Sequence, residues 1–409
     1  MILFVFEKVN MEVTELARAG ISGVLAGFLS LGFSSCPGGK PAERLFSALG
    51  SAPAGFNRPG SGNRAVLEYR LGEKESRVRI SVEDRTWTEV LPAAGRIERS
   101  VLGFIKETAR PSASRRSLAA AAGRIAGELI PFDRTLTALG VDCLIVIPDG
   151  ILCRLPFEAL RTADGRGFLV ERYAISYAPF RFGPSLDRSE EEPGGSCLLA
   201  MGASVPDRPA GAGEADAVFE EIPGVREEIR SVSRFFDRNR RFVYLDGAAS
   251  EATLRRHRGG RYRLVHIAGH GTTEAGDPGR SSLLLCRSAG DDGLLRAEEA
   301  RALGLAADLV VLSGCRTACG DAPPKEAGGL PRAFLDGGAR SVVATLWAVP
   351  DRSTADFMKE FYRHLEAGRG KSRALQAAKL GMIHGGRPHP FYWAGYILLG
   401  EPEETILFN

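Results

Sequence analysis

Two stretches decide the fold, LVHIAGHG at residues 264–271 and LVVLSGC at residues 309–315. Each opens on a mostly apolar run too short for an ordinary helix, and each stops at a tip made of small residues. Such runs read as strands buried on both faces, the pattern of parallel sheets. Glycines at the tips allow another backbone to come close.

Working outward, the same rhythm continues. Further strands are expected at 197–201, 242–245, 283–286, 341–346 and 393–399, with helices at 225–236, 251–258, 297–303, 330–335, 353–367 and 372–382. Apolar strands alternating with amphipathic helices predict an α/β fold, a mostly parallel sheet with helices on both faces. Upstream, 65–70 and 76–82 alternate like a hairpin around Gly72. Residues 114–129 form an Ala-rich helix ended by Pro131, and CLIVI at 143–147 is a buried strand running into the turn Pro148-Asp149-Gly150. Another strand is expected at 173–177. The polar, turn-rich run 185–195 marks a seam. The expected organisation is an N-terminal segment and linker over 1–63, a first half over 64–190 and a second half over 195–409.

Composition narrows the function classes. The 53 basic and 50 acidic side chains nearly cancel, leaving +3, so nucleic acid or an anionic surface is not the expected partner. Seven scattered cysteines, at 36, 143, 153, 197, 286, 315 and 319, read as reduced thiols of a cytoplasmic protein. No run of 18 apolar residues exists, so no stable membrane span is expected. The apolar stretch 21–36 admits a second reading, an exported protein lipid-anchored at Cys36. Glu7, Glu12 and Glu15 upstream argue against it, and an N-terminal helix packed on protein is preferred.

Chemistry in such a sheet belongs at the carboxyl ends of strands. His270 and Cys315 stand at two of those ends, 45 residues apart, and fit an acid/base and its nucleophile. From these two residues alone, a structural histidine and a core thiol remain open. Zinc is a further alternative, with His266/His270 and Cys315/Cys319 as paired ligands, but side chains four apart on extended backbone do not converge as they do on a helix. No phosphate-binding glycine motif follows a strand.

Several blocks together resemble the CHAT domain, a branch of caspase-like cysteine peptidases related to separase. They are LIVIPDGILCRLPFEAL (144–160), LVERYAISYAPF (169–180), VHIAGHG (265–271), DLVVLSGCRTACGD (308–321), GGLPRAFLDGGARSVVATLWAVPDRSTADFMKEFY (328–362) and HPFYWAGYILLG (389–400). The resemblance covers roughly residues 65–401. It implies a caspase-like sheet whose first half is degenerate and non-catalytic and whose second half is catalytic.

On the matching positions it implies His270 as acid/base, Cys315 as nucleophile, and the backbone N–H groups of Gly271 and Cys315 as oxyanion hole, with His266 structural and no cofactor or metal. Gly314 stands where relatives often carry Ala. In separase-like relatives an acidic residue at the position of Asp351 lines a pocket for a basic P1 side chain, and capping of the following helix is the competing role for it. The resemblance further implies a protein substrate, in relatives of bacterial defence sometimes a gasdermin-like pore former, and an activating partner. Self-cleavage would fall in a loop such as 205–221 or 316–328. A catalytically idle scaffold that binds a partner protein is the alternative function.

Overall fold

The computed structural model describes residues 63–178, 198–204, 220–274, 277–318, 329–402 and 405–406. The expected N-terminal segment up to residue 62, the seam at 185–195, most of both candidate self-cleavage loops, and Cys36, Cys197 and Cys319 lie outside them.

The first half contains β1 (Arg64–Arg70), β2 (Ser76–Val82), β3 (Arg85–Leu91), α1 (Ala94–Thr108), α2 (Arg115–Leu129), α3 (Asp133–Ala138), β4 (Cys143–Ile147) and β5 (Ala174–Tyr177). The second contains β6 (Leu198–Gly202), α4 (Pro223–Ser233), β7 (Arg241–Leu245), α5 (Glu251–Arg255), β8 (Arg261–Ala268), β9 (Gly271–Glu274), β10 (Asp277–Leu284) and β11 (Leu294–Leu295). It continues with α6 (Ala297–Leu303), β12 (Ala306–Ser313), α7 (Leu330–Asp336), β13 (Ser341–Thr345), α8 (Asp351–Glu366), α9 (Lys371–His384) and β14 (Tyr396–Gly400).

Local chemistry accounts for many boundaries. The Ser114 hydroxyl accepts from the Ser117 N–H at the start of α2, and Ser250 accepts from Thr253 at the start of α5. Gly304, with φ of 57°, ends α6 in the left-handed conformation that favours glycine. Three differences from the sequence reading stand out. β3 and α1 were not expected, because β3 is an edge strand whose residues are mostly exposed and gives no strong apolar pattern. The closing strand begins at Tyr396, later than expected, because the 3-10 turn at 390–392 is prolonged through 393–395, where the Ala394 N–H bonds the Pro390 carbonyl at 2.8 Å.

Eleven strands make one sheet in the order β3-β2-β1-β4-β5-β14-β13-β12-β8-β6-β7, and β9, β10 and β11 form a small second sheet. β7, β6, β8, β12 and β13 run parallel, and β14 is antiparallel to β13. β14 is parallel to β5, which is parallel to β4 and, through it, to β1. The two sets of parallel strands therefore point in opposite directions, and their carboxyl ends open at opposite edges of the sheet. α6 packs on α7 and α4 on α8, and the right-handed rule for such crossovers assigns these two pairs to opposite faces of the sheet. α8 packs against α4 and α9; its buried Phe357 stacks on Tyr396 of β14, and its Tyr362 on Phe235 just past α4.

α9 also joins the halves. Its Lys379 Nζ lies 2.6 Å from Glu158 Oε1, both side chains about 1% exposed, and Tyr177 OH donates to the other Glu158 oxygen. Gln376 donates to the Val170 carbonyl at 2.8 Å, and Arg373 pairs with Asp142 at 2.8 Å.

Candidate active site

The register brings the two decisive stretches together. β8 and β12 pair residue for residue from Arg261↔Ala306 to Ala268↔Ser313. His270 and Cys315 each follow two residues beyond that last pair, so the 45-residue spacing in sequence is also the register offset. Adjacent strands lie about 4.8 Å apart, and the two side chains stand on neighbouring tips.

The backbones at these tips interlock. A Cβ on Gly271 would collide with the Cys315 carbonyl oxygen and fall 3.0 Å from its nitrogen. One on Gly314 would meet the Gly269 carbonyl oxygen at 2.8 Å and Leu283 Cδ2 at 2.7 Å. Glycine is required at both positions by close approach, with no unusual φ involved. Glycine at 314, where relatives often carry Ala, is thus matched by the packing around it.

His270 is half-buried, and its Nε2 lies 2.8 Å from the backbone carbonyl of Glu220. A carbonyl only accepts, so Nε2 carries a proton, and in the neutral ring Nδ1 is the basic nitrogen. Sequence reading missed this partner because every residue carries a carbonyl. Cys315 is also half-buried, a free thiol. Burial pushes its pKa up, with the neighbouring Arg316 working the other way. Arg316 adopts φ of 55°, a left-handed conformation unusual for a non-glycine residue.

The Gly271 N–H is turned toward this gap. The Leu284 N–H donates to the His270 carbonyl at 2.8 Å, so 270 and 284 form a hydrogen-bonded antiparallel pair. The next pair, Gly271↔Leu283, must then be a non-hydrogen-bonded one, with the Gly271 N–H directed away from β10.

The remaining candidates fall into different places. His266 is fully buried within β8; its Nδ1 is 2.7 Å from Tyr362 OH, and its Nε2 lies 3.0 Å from Glu228 Oε1 without hydrogen-bond alignment. Asp351 begins α8, just past the tip of β13, the strand beside β12. The turn before it is anchored by Trp347, which donates to the Phe391 carbonyl at 2.9 Å. The Asp351 carboxylate accepts the Gly224 N–H at 2.6 Å, thereby satisfying an open donor in the first turn of α4, a different helix from the one it starts. Burial raises its pKa, aided by Glu228 and Glu227 and opposed by the Gly224 bond and Arg352.

Among the described residues no group of three or more potential metal ligands occurs, and no helix is long and apolar enough to cross a membrane. Cys319 lies outside those residues.

Comparison with known proteins agrees with this architecture. A curated relative, tetratricopeptide repeat protein 28 of Mus musculus, is 37% identical over 109 residues, which is 26% of this chain and 4% of that protein. Its Homo sapiens counterpart is 35% identical over 109 residues, again 26% and 4%. The chain thus spans only a small part of these relatives. In the Saccharomyces cerevisiae separase–securin complex, a solved chain superposes with a TM-score of 0.55 at 13% identity, over 83% of this chain and 30% of that one. That likeness is one of fold, a large, mostly parallel α/β sheet with helices. The model of the CHAT domain family matches residues 119–401. With well over half of its length matched, the chain belongs to the CHAT domain family.

Proposed function

We propose that the protein is a cysteine endopeptidase that cleaves a protein substrate with His270 and Cys315. The observation that carries the reading is the register of β8 and β12, which sets both residues two positions past the last paired residues of adjacent strands. Because burial holds the Cys315 thiol up, the resting side chain is protonated at neutral pH. Attack on the scissile carbonyl then transfers the thiol proton to His270, whose Nε2–H stays on the Glu220 carbonyl. The imidazolium protonates the departing amine, and the neutral ring later activates water for deacylation. The N–H groups of Gly271 and Cys315 stabilise the tetrahedral oxyanion.

The proposal extends to a basic P1 residue. Asp351 is a carboxylate in a site that disfavours its own charge, through burial and the neighbouring Glu228 and Glu227. An Arg or Lys side chain brought beside it would relieve that cost through a charge-assisted bond. A gasdermin-like substrate in bacterial defence and a cytoplasmic setting belong to the same proposal by family resemblance, as does an activating partner. The first half, over 64–190, acts as a non-catalytic brace for the catalytic half over 195–409.

A positional peptide library tests both parts. Cleavage after Arg or Lys is expected, and Asp351→Asn should lower it by about tenfold or more relative to cleavage after neutral residues. Equal rates for Arg and Asp substrates, or an unchanged preference in Asp351→Asn, would sink the P1 assignment. A labelled peptide chloromethyl ketone that marks the wild type but not Cys315→Ala supports the enzyme. Absence of labelling with every P1 residue would favour a protein-binding scaffold.

A further inference from the structure

We infer that the hydroxyl of Thr345 aims the backbone N–H of Cys315 and so acts as a positioning residue for the oxyanion. This rests on the peptidase reading above and goes beyond it in assigning a role to a buried residue outside the dyad.

The β12–β13 ladder stops at Val311↔Val343, whereas the β12–β8 ladder continues to Ser313↔Ala268. Past Val311 the seam toward β13 is therefore closed by other bonds. Thr345 Oγ1 donates to the Gly314 carbonyl. Thr317 Oγ1 donates to the Leu312 carbonyl at 3.1 Å and accepts the Thr345 N–H at 2.9 Å. The Ala318 N–H donates to the Thr345 carbonyl at 2.8 Å. Both threonines are buried, so their hydroxyls depend on these protein partners.

The Gly314 carbonyl and the Cys315 N–H belong to one planar peptide unit. In a trans peptide they point in opposite directions. Drawing the oxygen toward Thr345 on β13 turns the N–H toward the β8 side of β12, where Gly271 presents its own N–H. A Cβ on Gly314 would lie 3.3 Å from the Gly271 nitrogen, which places the two donors close together. The pin is needed because Gly314 leaves the backbone on one side of this peptide unusually free to rotate. On the other side the chain turns through the left-handed Arg316, a conformation that persists only when its surroundings enforce it.

Thr345→Val keeps the shape and removes the hydroxyl, and Thr345→Ser keeps the hydroxyl. Three readouts are needed: turnover of a fluorogenic peptide amide with Arg at P1, affinity for the peptide aldehyde of the same sequence, and the alkylation rate of Cys315 by iodoacetamide. The aldehyde forms a hemithioacetal whose oxygen occupies the oxyanion position, whereas alkylation needs only a reachable sulfur. Thr345→Val should lower kcat and aldehyde affinity together by ~10- to 100-fold, somewhat less than deleting a whole oxyanion donor. KM and alkylation should stay near wild type, and Thr345→Ser should restore both losses.

Wild-type turnover and aldehyde affinity in Thr345→Val would overturn the inference. So would an equal loss in alkylation, which would mean general collapse of the site. If a melting curve shows that Thr345→Val does not fold, Thr345→Ala against Thr345→Ser gives the same comparison. A wild type that cleaves neither this peptide nor any member of the positional library, and binds none of the matching aldehydes, overturns the peptidase reading itself; cleavage after another P1 residue moves the same three readouts to that residue.

Discussion

The first half of the chain, residues 63–178, and the second, residues 198–402, both run parallel strands into glycine-bearing turns, but the turns have opposite fates. At the end of β4 the Asp149 carboxylate accepts the Leu71 N–H at 2.7 Å, and Gly150 turns the chain with φ of 55°. The nearby Cys153 is buried, and its thiol is pushed up to about 11 by that burial, with Asp149 adding to it. This turn is tied to the end of β1. At the ends of β8 and β12 the Gly271 N–H instead turns away from its neighbouring strand, His270 bonds the Glu220 carbonyl, and Cys315 is half-exposed. The same strand-to-turn unit is tied to a neighbouring strand through Asp149 in the first half and carries His270 and Cys315 in the second.

The comparison breaks most sharply at the thiols. Cys315→Ala and His270→Ala should each abolish cleavage and leave the melting temperature nearly unchanged, since neither side chain fills core volume. Cys153→Ser should leave cleavage intact. More than about a tenth of wild-type turnover in either dyad variant, a loss under ~1.4 kcal/mol, would overturn the dyad.

Next in size is the bond between the halves. Burial lowers the pKa of the Lys379 ammonium, and Glu158 works against that shift. Lys379→Met should destabilise the fold by roughly 3–5 kcal/mol, because it leaves the Glu158 carboxylate buried without its cation. Pairing it with Glu158→Gln should recover most of that loss in denaturant titrations. A single variant as stable as wild type would mean that the halves do not depend on this pair.

His266 separates structure from chemistry within one strand. His266→Ala removes the partner of Tyr362 and leaves Glu228 buried, at an expected cost of about 2–4 kcal/mol. Turnover of the folded fraction should change far less. A full loss of turnover with an unchanged melting curve would move His266 into the catalytic group.

The smallest effect concerns pH. Glu251 is buried at the start of α5 and accepts the Gly293 N–H at 2.9 Å, and burial pushes its carboxyl up from 4.5 to about 7. A carboxyl raised in the folded state binds its proton more tightly there than in the unfolded chain. Its ionisation therefore costs stability as pH rises from about 4.5 to about 7, and the cost is constant above that. Glu251→Gln should gain melting temperature relative to wild type across that window. A gap between the two that does not change with pH would contradict the assignment.

By itself the sequence determined the strand runs, the helices between them and the tips at His270 and Cys315. Continuous apolar runs and glycine-bearing ends are local patterns, legible without knowing any neighbour. The offset between the two tips is also legible in the sequence, but its meaning as a register needed the observed pairing of β8 with β12. Tertiary structure alone decided the rest. The Glu220 carbonyl and the Thr345 hydroxyl have no sequence signature, because main-chain carbonyls and threonines occur everywhere. Asp351 could be placed after β13 from its motif, yet its bond to Gly224, 127 residues away, depends on how α4 and α8 pack. The opposite outlooks of the two halves follow from β14, which is antiparallel to β13 and parallel to β5. Strand direction is set by partners distant in the chain, which no local pattern encodes.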